Sequence, residues 1–223
     1  MIREDARARA RSPHAADTAR SEPRYQGAVI GALIERRALM DAAFAQLETR
    51  ADALAQAADC LLGALRLGHK ALVAGNGGSA AEAQHFAAEL VGRFRRERDA
   101  YAALALTTDT AILTAIANDY GYDDVFARQV CGLGCTGDVF IAFSTSGESV
   151  NIVRAAQACR TRGITVIAVT GDRPNALERV ADITLRMPSL DTAAIQELHM
   201  ATTHILCDIV ESELVASGGS AHA

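Results

Sequence analysis

A short apolar run that ends in a glycine turn and passes into a helix-forming segment is the feature that most restricts this fold. Lys70–Glu89 reads KALVAGNGGSAAEAQHFAAE. Lys70–Ala74 is apolar, Gly75-Asn76-Gly77-Gly78-Ser79 follows, and an alanine-rich segment then continues without Gly or Pro to Gly92. A buried strand, a tight turn and a helix satisfy that pattern. Glycines let main-chain N–H groups come close to an anion, and the helix N-terminus adds a favourable dipole. His85 and Glu89, four apart, share one helix face. One strand–turn–helix unit therefore supplies an anion cradle and a candidate metal or acid–base pair.

The same pattern recurs downstream. Ala102–Thr107 reads as a strand, and Asp109–Ala117 as a helix ending at Asn118-Asp119-Tyr120-Gly121. Val139–Phe143 is a third strand, followed by Ser144-Thr145-Ser146-Gly147-Glu148-Ser149 and a helix to about Arg162. Ile164–Thr170 and Asp182–Met187 are further strands, and Thr192–Leu214 is a long closing helix. Upstream, roughly Gly27–Arg50 and Ala51–Leu67 read as two helices, the first with an apolar stripe through Ile30, Leu33, Ile34, Leu39, Met40 and Phe44. Such a stripe covers the core or meets another subunit. Continuous apolar strands alternating with helices call for an α/β fold with a doubly wound parallel sheet of five strands, covered on both faces. Ligands then sit at the carboxyl ends of strands near the switch point. The expected organisation is a disordered tail over 1–25, a single domain over 26–216 that includes the N-terminal helices, and a frayed tail over 217–223.

Composition excludes several classes. The formal charge of −5 argues against a broad nucleic-acid surface. The apolar runs are too short to span a bilayer, and no secretory h-region is present, so no membrane partner is expected. Five scattered cysteines suit a reducing cytoplasm better than a disulfide framework, and Cys131 and Cys135 are expected to be ordinary buried thiols. The run Arg93, Arg95, Arg96, Arg98 reads as a solvated helix end. No Walker sequence or G-x-G-x-x-G is present, which leaves nucleotide binding without a motif.

Four hydroxyls around Gly147, after a strand and before a helix, can surround a phosphate with O–H and N–H donors. Gln196 and His204 are eight apart on the closing helix, about 80° around it, and can face one site. With His85 and Glu89 they make four N/O ligands, a plausible zinc shell. His199 falls on another side of Gln196 and reads as packing or surface. Asn118-Asp119 follows the second strand, where polar groups are often recruited to a site.

Five ordered motifs carry a resemblance over roughly residues 27–215. They are Gly75–Ser79, Gln84–Glu89, Ala117–Gly121, Ser144–Gly147, and Ile195–His199 with His204. Together they resemble the phosphoheptose isomerase family of the SIS (sugar isomerase) superfamily. The resemblance implies a flavodoxin-like SIS domain and a cytoplasmic homotetramer with sites at subunit interfaces. It implies one Zn2+ per site, held by His85, Glu89, Gln196 and His204. Substrate contacts fall to Asn76, Gly77, Gly78, Ser79, Glu89, Asn118, Asp119 and Gln196. The phosphate falls to Ser144, Thr145, Ser146 and Ser149.

The implied reaction converts sedoheptulose 7-phosphate to D-glycero-D-manno-heptose 7-phosphate, or a closely related heptose 7-phosphate, through an enediol, for nucleotide-activated heptose biosynthesis. Glu89 is the expected base and His204 the expected acid. Departures from the family pattern include Arg173-Pro174-Asn175, where Gly-Gly is usual, and Glu82, where a shorter acid is sometimes found. The alternative reading is a non-catalytic SIS protein that binds a replication initiator or senses sugar phosphates.

Overall fold

The computed structural model describes residues 23–218. The tails expected over 1–25 and 217–223 lie, apart from a few residues at their inner edges, outside the described residues. Helices α1 (Gln26–Glu48) and α2 (Ala51–Arg66) open the described chain. Two compact units are present, one ending at Ala38 and the other starting at Leu39. In the first, Val29, Ile30, Leu33 and Ile34 of α1 stand exposed.

The second unit holds a five-stranded sheet in the order β2-β1-β3-β4-β5. The strands are β1 (Ala71–Ala74), β2 (Ala103–Ala105), β3 (Val139–Ser144), β4 (Thr165–Thr170) and β5 (Ile183–Arg186). Every pairing is parallel, with Leu72 opposite both Leu104 and Phe140. Five helices accompany the strands: α3 (Gly78–Val91), α4 (Thr110–Tyr120), α5 (Val125–Leu133), α6 (Val150–Thr161) and α7 (Thr192–Gly218).

Each face of the sheet has its own core. Ile141 and Val169 pack with Leu61, Phe86, Leu198 and Val210 on one side. Phe140 and Val166 pack with Phe126, Ile152 and Ala156 on the other. Successive β3 side chains alternate between the two cores, so all six β3 residues are buried. That is why Val139–Phe143 reads as an unbroken apolar run.

Three local expectations are corrected. Helix α5 has no counterpart in the sequence reading; it buries Val125, Phe126, Gln129 and Val130. Cys131 and Cys135 are exposed rather than buried. Cys131 follows the inward-facing Val130 and turns to solvent, while Cys135 lies in the loop before β3. Finally, the helix after the glycine turn, expected from the sequence to run to about Phe94, stops at Val91. The N–H groups of Phe94, Arg95 and Arg96 donate to the Glu211 carboxylate at 2.8–2.9 Å rather than continuing the helical ladder.

The basic run is accordingly a clasp on α7 and not simply a solvated end. The Arg98 side chain is buried, donating to Glu211 Oε1 at 3.1 Å and to the carbonyls of Glu89 and Leu90 at 2.8 Å. Arg95 and Arg96 pair with Asp208, while Arg93 stays exposed beside Glu97. Burial alone pushes the Glu211 pKa up. The backbone donors at Arg95, Phe94 and Arg96, with the Arg98 charge, outweigh burial and hold it below the ordinary carboxylate value.

Candidate active site

Strand β1 lies between β2 and β3, so the chain's progression reverses at β1, and the crevice beyond the ends of β1 and β3 is where such sheets place ligands. Two loops meet there. The β1 loop turns through Gly77 at φ +56°, a conformation that favours glycine. Gly75 and Gly78 are needed for space instead. A Cβ at Gly75 would lie 2.3 Å from the Ser79 carbonyl oxygen, and one at Gly78 would lie 2.3 Å from Gln196 Nε2. Ser79 itself is buried in the first turn of α3.

Asn76 is fixed by two reciprocal amide hydrogen bonds with Asn151, both 2.9 Å, and by the Tyr122 hydroxyl at 3.1 Å. These contacts tie the β1 loop to the start of α6. Neither Asn151 nor Tyr122 was singled out in the sequence, since each sits outside the glycine and hydroxyl clusters.

The β3 loop runs from Ser144 to Ser149. Ser144 Oγ accepts from Gly147 N at 3.1 Å and donates to Ser149 Oγ at 3.4 Å, while Ser146 Oγ accepts from Glu148 N at 3.1 Å. Ser149 stands at the N-cap of α6 without a side-chain cap bond. The loop therefore sets a run of hydroxyl side chains at the N-terminus of a twelve-residue helix, a chemistry suited to a phosphate. The loop after β4 holds this one in place. Gly171 N donates to Thr145 O at 3.1 Å, Leu177 N to Gly147 O at 2.9 Å, and Ala176 N to Glu148 Oε1 at 2.8 Å. Asn175, buried against Gly147, fills the space that a side chain there would need.

A histidine–carboxylate cluster lies further along α3. His85 Nε2 is 3.0 Å from His204 Nε2 on α7 and 3.1 Å from Glu89 Oε1. Atoms of all three side chains fall within 4.8 Å of one another, making a group able to hold a metal ion. Two imidazole nitrogens and a carboxylate oxygen suit a borderline cation. Ligands about 2.0–2.1 Å from a tetrahedral centre stand roughly 3.3 Å apart, close to the contacts here. Cys207 is buried on the neighbouring turn of α7. Burial pushes its pKa up to about 12, and the Glu89 and Glu211 charges add to the shift.

Phe94 stacks on the His204 ring, with centroids 5.4 Å apart and planes at 21°, and the Arg95 guanidinium lies 4.9 Å from the Phe94 ring centroid. Phe94 was not singled out in the sequence; its position follows from the Glu211 clasp.

The other expected residues are less tightly drawn in. Gln196 stands against Gly78, and no hydrogen bond among the described residues joins it to His85, Glu89 or His204. Asn118 and Asp119 end α4 on an exposed face, bonded to each other at 2.8 Å. His199, read as packing or surface, is fully buried and pairs with Glu82 at 3.1 Å.

Comparison with known proteins agrees with this architecture. The SIS domain family matches residues 37–171. A phosphoheptose isomerase from a Bradyrhizobium species is 51% identical over 184 residues, covering 82% of this chain and 89% of that protein. One from Helicobacter hepaticus is 52% identical, covering 77% of this chain and 88% of that protein. The structure of a phosphoheptose isomerase from Neisseria gonorrhoeae superposes with a TM-score of 0.77 at 41% identity, covering 82% of this chain and 99% of that one. No helix among the described residues is long and apolar enough to cross a membrane. On these matches, together with the five-stranded parallel sheet, the chain belongs to the phosphoheptose isomerase family of SIS-domain proteins.

Proposed function

We propose that this chain is an aldose–ketose isomerase that converts sedoheptulose 7-phosphate to D-glycero-D-manno-heptose 7-phosphate, feeding nucleotide-activated heptose biosynthesis in the cytoplasm. The observation that carries this reading is the convergence of His85, Glu89 and His204 from two helices of a chain that also carries a hydroxyl-rich loop after β3. The non-catalytic alternative requires neither Glu89 nor His204 and gives no reason for their convergence.

His85, Glu89 and His204, with Gln196 from the same α7, would hold one Zn2+. Zinc bound there supplies Lewis-acid polarisation of the sugar oxygens at C1 and C2. The Ser144–Ser149 loop fixes the phosphate, so the reacting carbons reach the α3–α7 groove in one orientation. Glu89 removes the C1 proton, and the electron pair shifts into the C1–C2 bond as the C2 carbonyl oxygen gains a proton from His204. The resulting enediol loses the O1 proton to His204, and Glu89 returns its proton to C2. His204 exchanges these protons through the ring nitrogen that does not face His85. The exposed apolar side chains of α1 support a homotetramer in which those helices meet.

The test is incubation of the purified protein with sedoheptulose 7-phosphate, with and without a chelator, following product by NMR. Turnover that disappears on chelation and returns with Zn2+ is expected. Binding without turnover in the presence of added Zn2+ would overturn the proposal.

A further inference from the structure

The buried Glu82–His199 pair has no part in the chemistry above. Glu82 Oε2 lies 3.1 Å from His199 Nδ1; both side chains are almost wholly removed from solvent, and His199 is 0% exposed. A carboxylate cannot donate, so Nδ1 carries the proton and donates to Glu82. Nε2 of His199 is buried with no partner among the described residues. A buried imidazole with one nitrogen unsatisfied is an expensive way to fill a core position that an apolar ring could occupy.

The location of the pair explains what it does. Contacts between α3 and α7 advance in the same direction along both helices. Gly78 meets Gln196, Glu82 meets His199, and His85 meets His204. The two helices therefore lie side by side and parallel, with the buried pair midway between the substrate end and the reactive end. Apolar contacts tolerate sliding and rotation, whereas a desolvated directional hydrogen bond does not. His204 must arrive within bonding distance of His85 to complete the cluster, and a shift of about 1 Å at such a group costs on the order of a hundredfold in rate.

We propose that Glu82 and His199 are positioning residues that lock the register of α7 on α3, and so set the metal affinity of the His85–Glu89–His204 cluster and its turnover. The proposal rests on the isomerase reading for turnover, but not for metal affinity.

The experiment compares the full-length wild type with E82Q, E82A and the apolar double variant E82M/H199F. It measures Zn2+ affinity by chelator competition, kcat and KM for sedoheptulose 7-phosphate, and Tm. E82Q keeps an acceptor for Nδ1–H and is expected within about threefold of wild type in affinity and kcat. E82A is expected to lose about tenfold or more in both, with KM within about threefold because the phosphate loop is untouched. The double variant replaces both partners with groups of similar shape, so its Tm recovers while its metal affinity stays low. If E82A does not fold, the double variant decides. Wild-type metal affinity and kcat in a well-folded E82M/H199F would overturn the proposal and leave the pair a packing element. A wild type that binds Zn2+ but isomerises nothing would refute the activity while leaving the affinity comparison intact.

Discussion

Glu211→Gln is the most informative single perturbation of the frame around the site. Glu211 is 1% exposed, and its two oxygens take Phe94 N, Arg95 N, Arg96 N and Arg98 Nε at 2.8–3.1 Å. Glutamine keeps one acceptor. If that oxygen serves Arg95 and Arg96, the new amide group faces Phe94 N–H and Arg98 Nε, donor against donor. Two bonds to a charged acceptor are lost, at about 1.5–3 kcal/mol each, for a total of roughly 3–6 kcal/mol. Urea unfolding at fixed protein concentration reads this directly.

The pH dependence gives a second signature. The folded pKa of Glu211 lies below its ordinary value of 4.5. Its stabilising contribution is therefore complete above the unfolded pKa and is lost as pH falls through the folded one. E211Q should show a shallower acid limb than wild type below about pH 5. Asp138 keeps its own acid limb in the variant. Burial raises its pKa, and the Lys70 and Cys135 hydrogen bonds more than reverse that, so the net shift is also downward. A loss under about 1 kcal/mol, with an unchanged acid limb, would refute the clasp as the support of the Phe94 loop.

Two further predictions concern the chemistry and the assembly. Glu89→Gln should lower kcat about 10²–10⁴-fold with KM within a few-fold, measured at saturating Zn2+. Unchanged turnover removes Glu89 from the base role. The pair Leu33→Glu and Ile34→Glu places two charges on the exposed apolar side of α1. Light scattering after gel filtration should then show a species smaller than a tetramer, and a tetramer of undiminished mass would argue against packing through α1.

Much of this molecule was readable before any coordinates. The strands betrayed themselves because a parallel sheet covered on both faces demands unbroken apolar runs, as in Val139–Phe143. Gly75, Gly77 and Gly78 were legible because close approach and positive φ both exclude side chains. His85 and Glu89 share a helix face, so their meeting follows from local periodicity alone. What escaped depends on pairing across the chain. Glu82 and His199 are 117 residues apart, and nothing local to either signals the other. Phe94 stacks on His204 only because Glu211, on the far helix, draws three main-chain donors out of α3. Helix α5 was missed because Gly132 and Gly134 blur its short apolar repeat. Asn118 and Asp119, read as the end of the helix after the second strand, complete the last turn of α4, which runs on to Tyr120 before Gly121 ends it.

The two ends of a substrate would be gripped by parts of this fold that share no backbone. The proposed anion seat is braced by the loop after β4 through Gly171, Ala176 and Leu177, whereas the His85–Glu89–His204 cluster belongs to two helices fastened to each other. Changes at Arg173-Pro174 in that loop would then alter the proposed anion seat while the His85–Glu89–His204 cluster keeps its place. In this architecture, changing what is recognised need not change how it reacts.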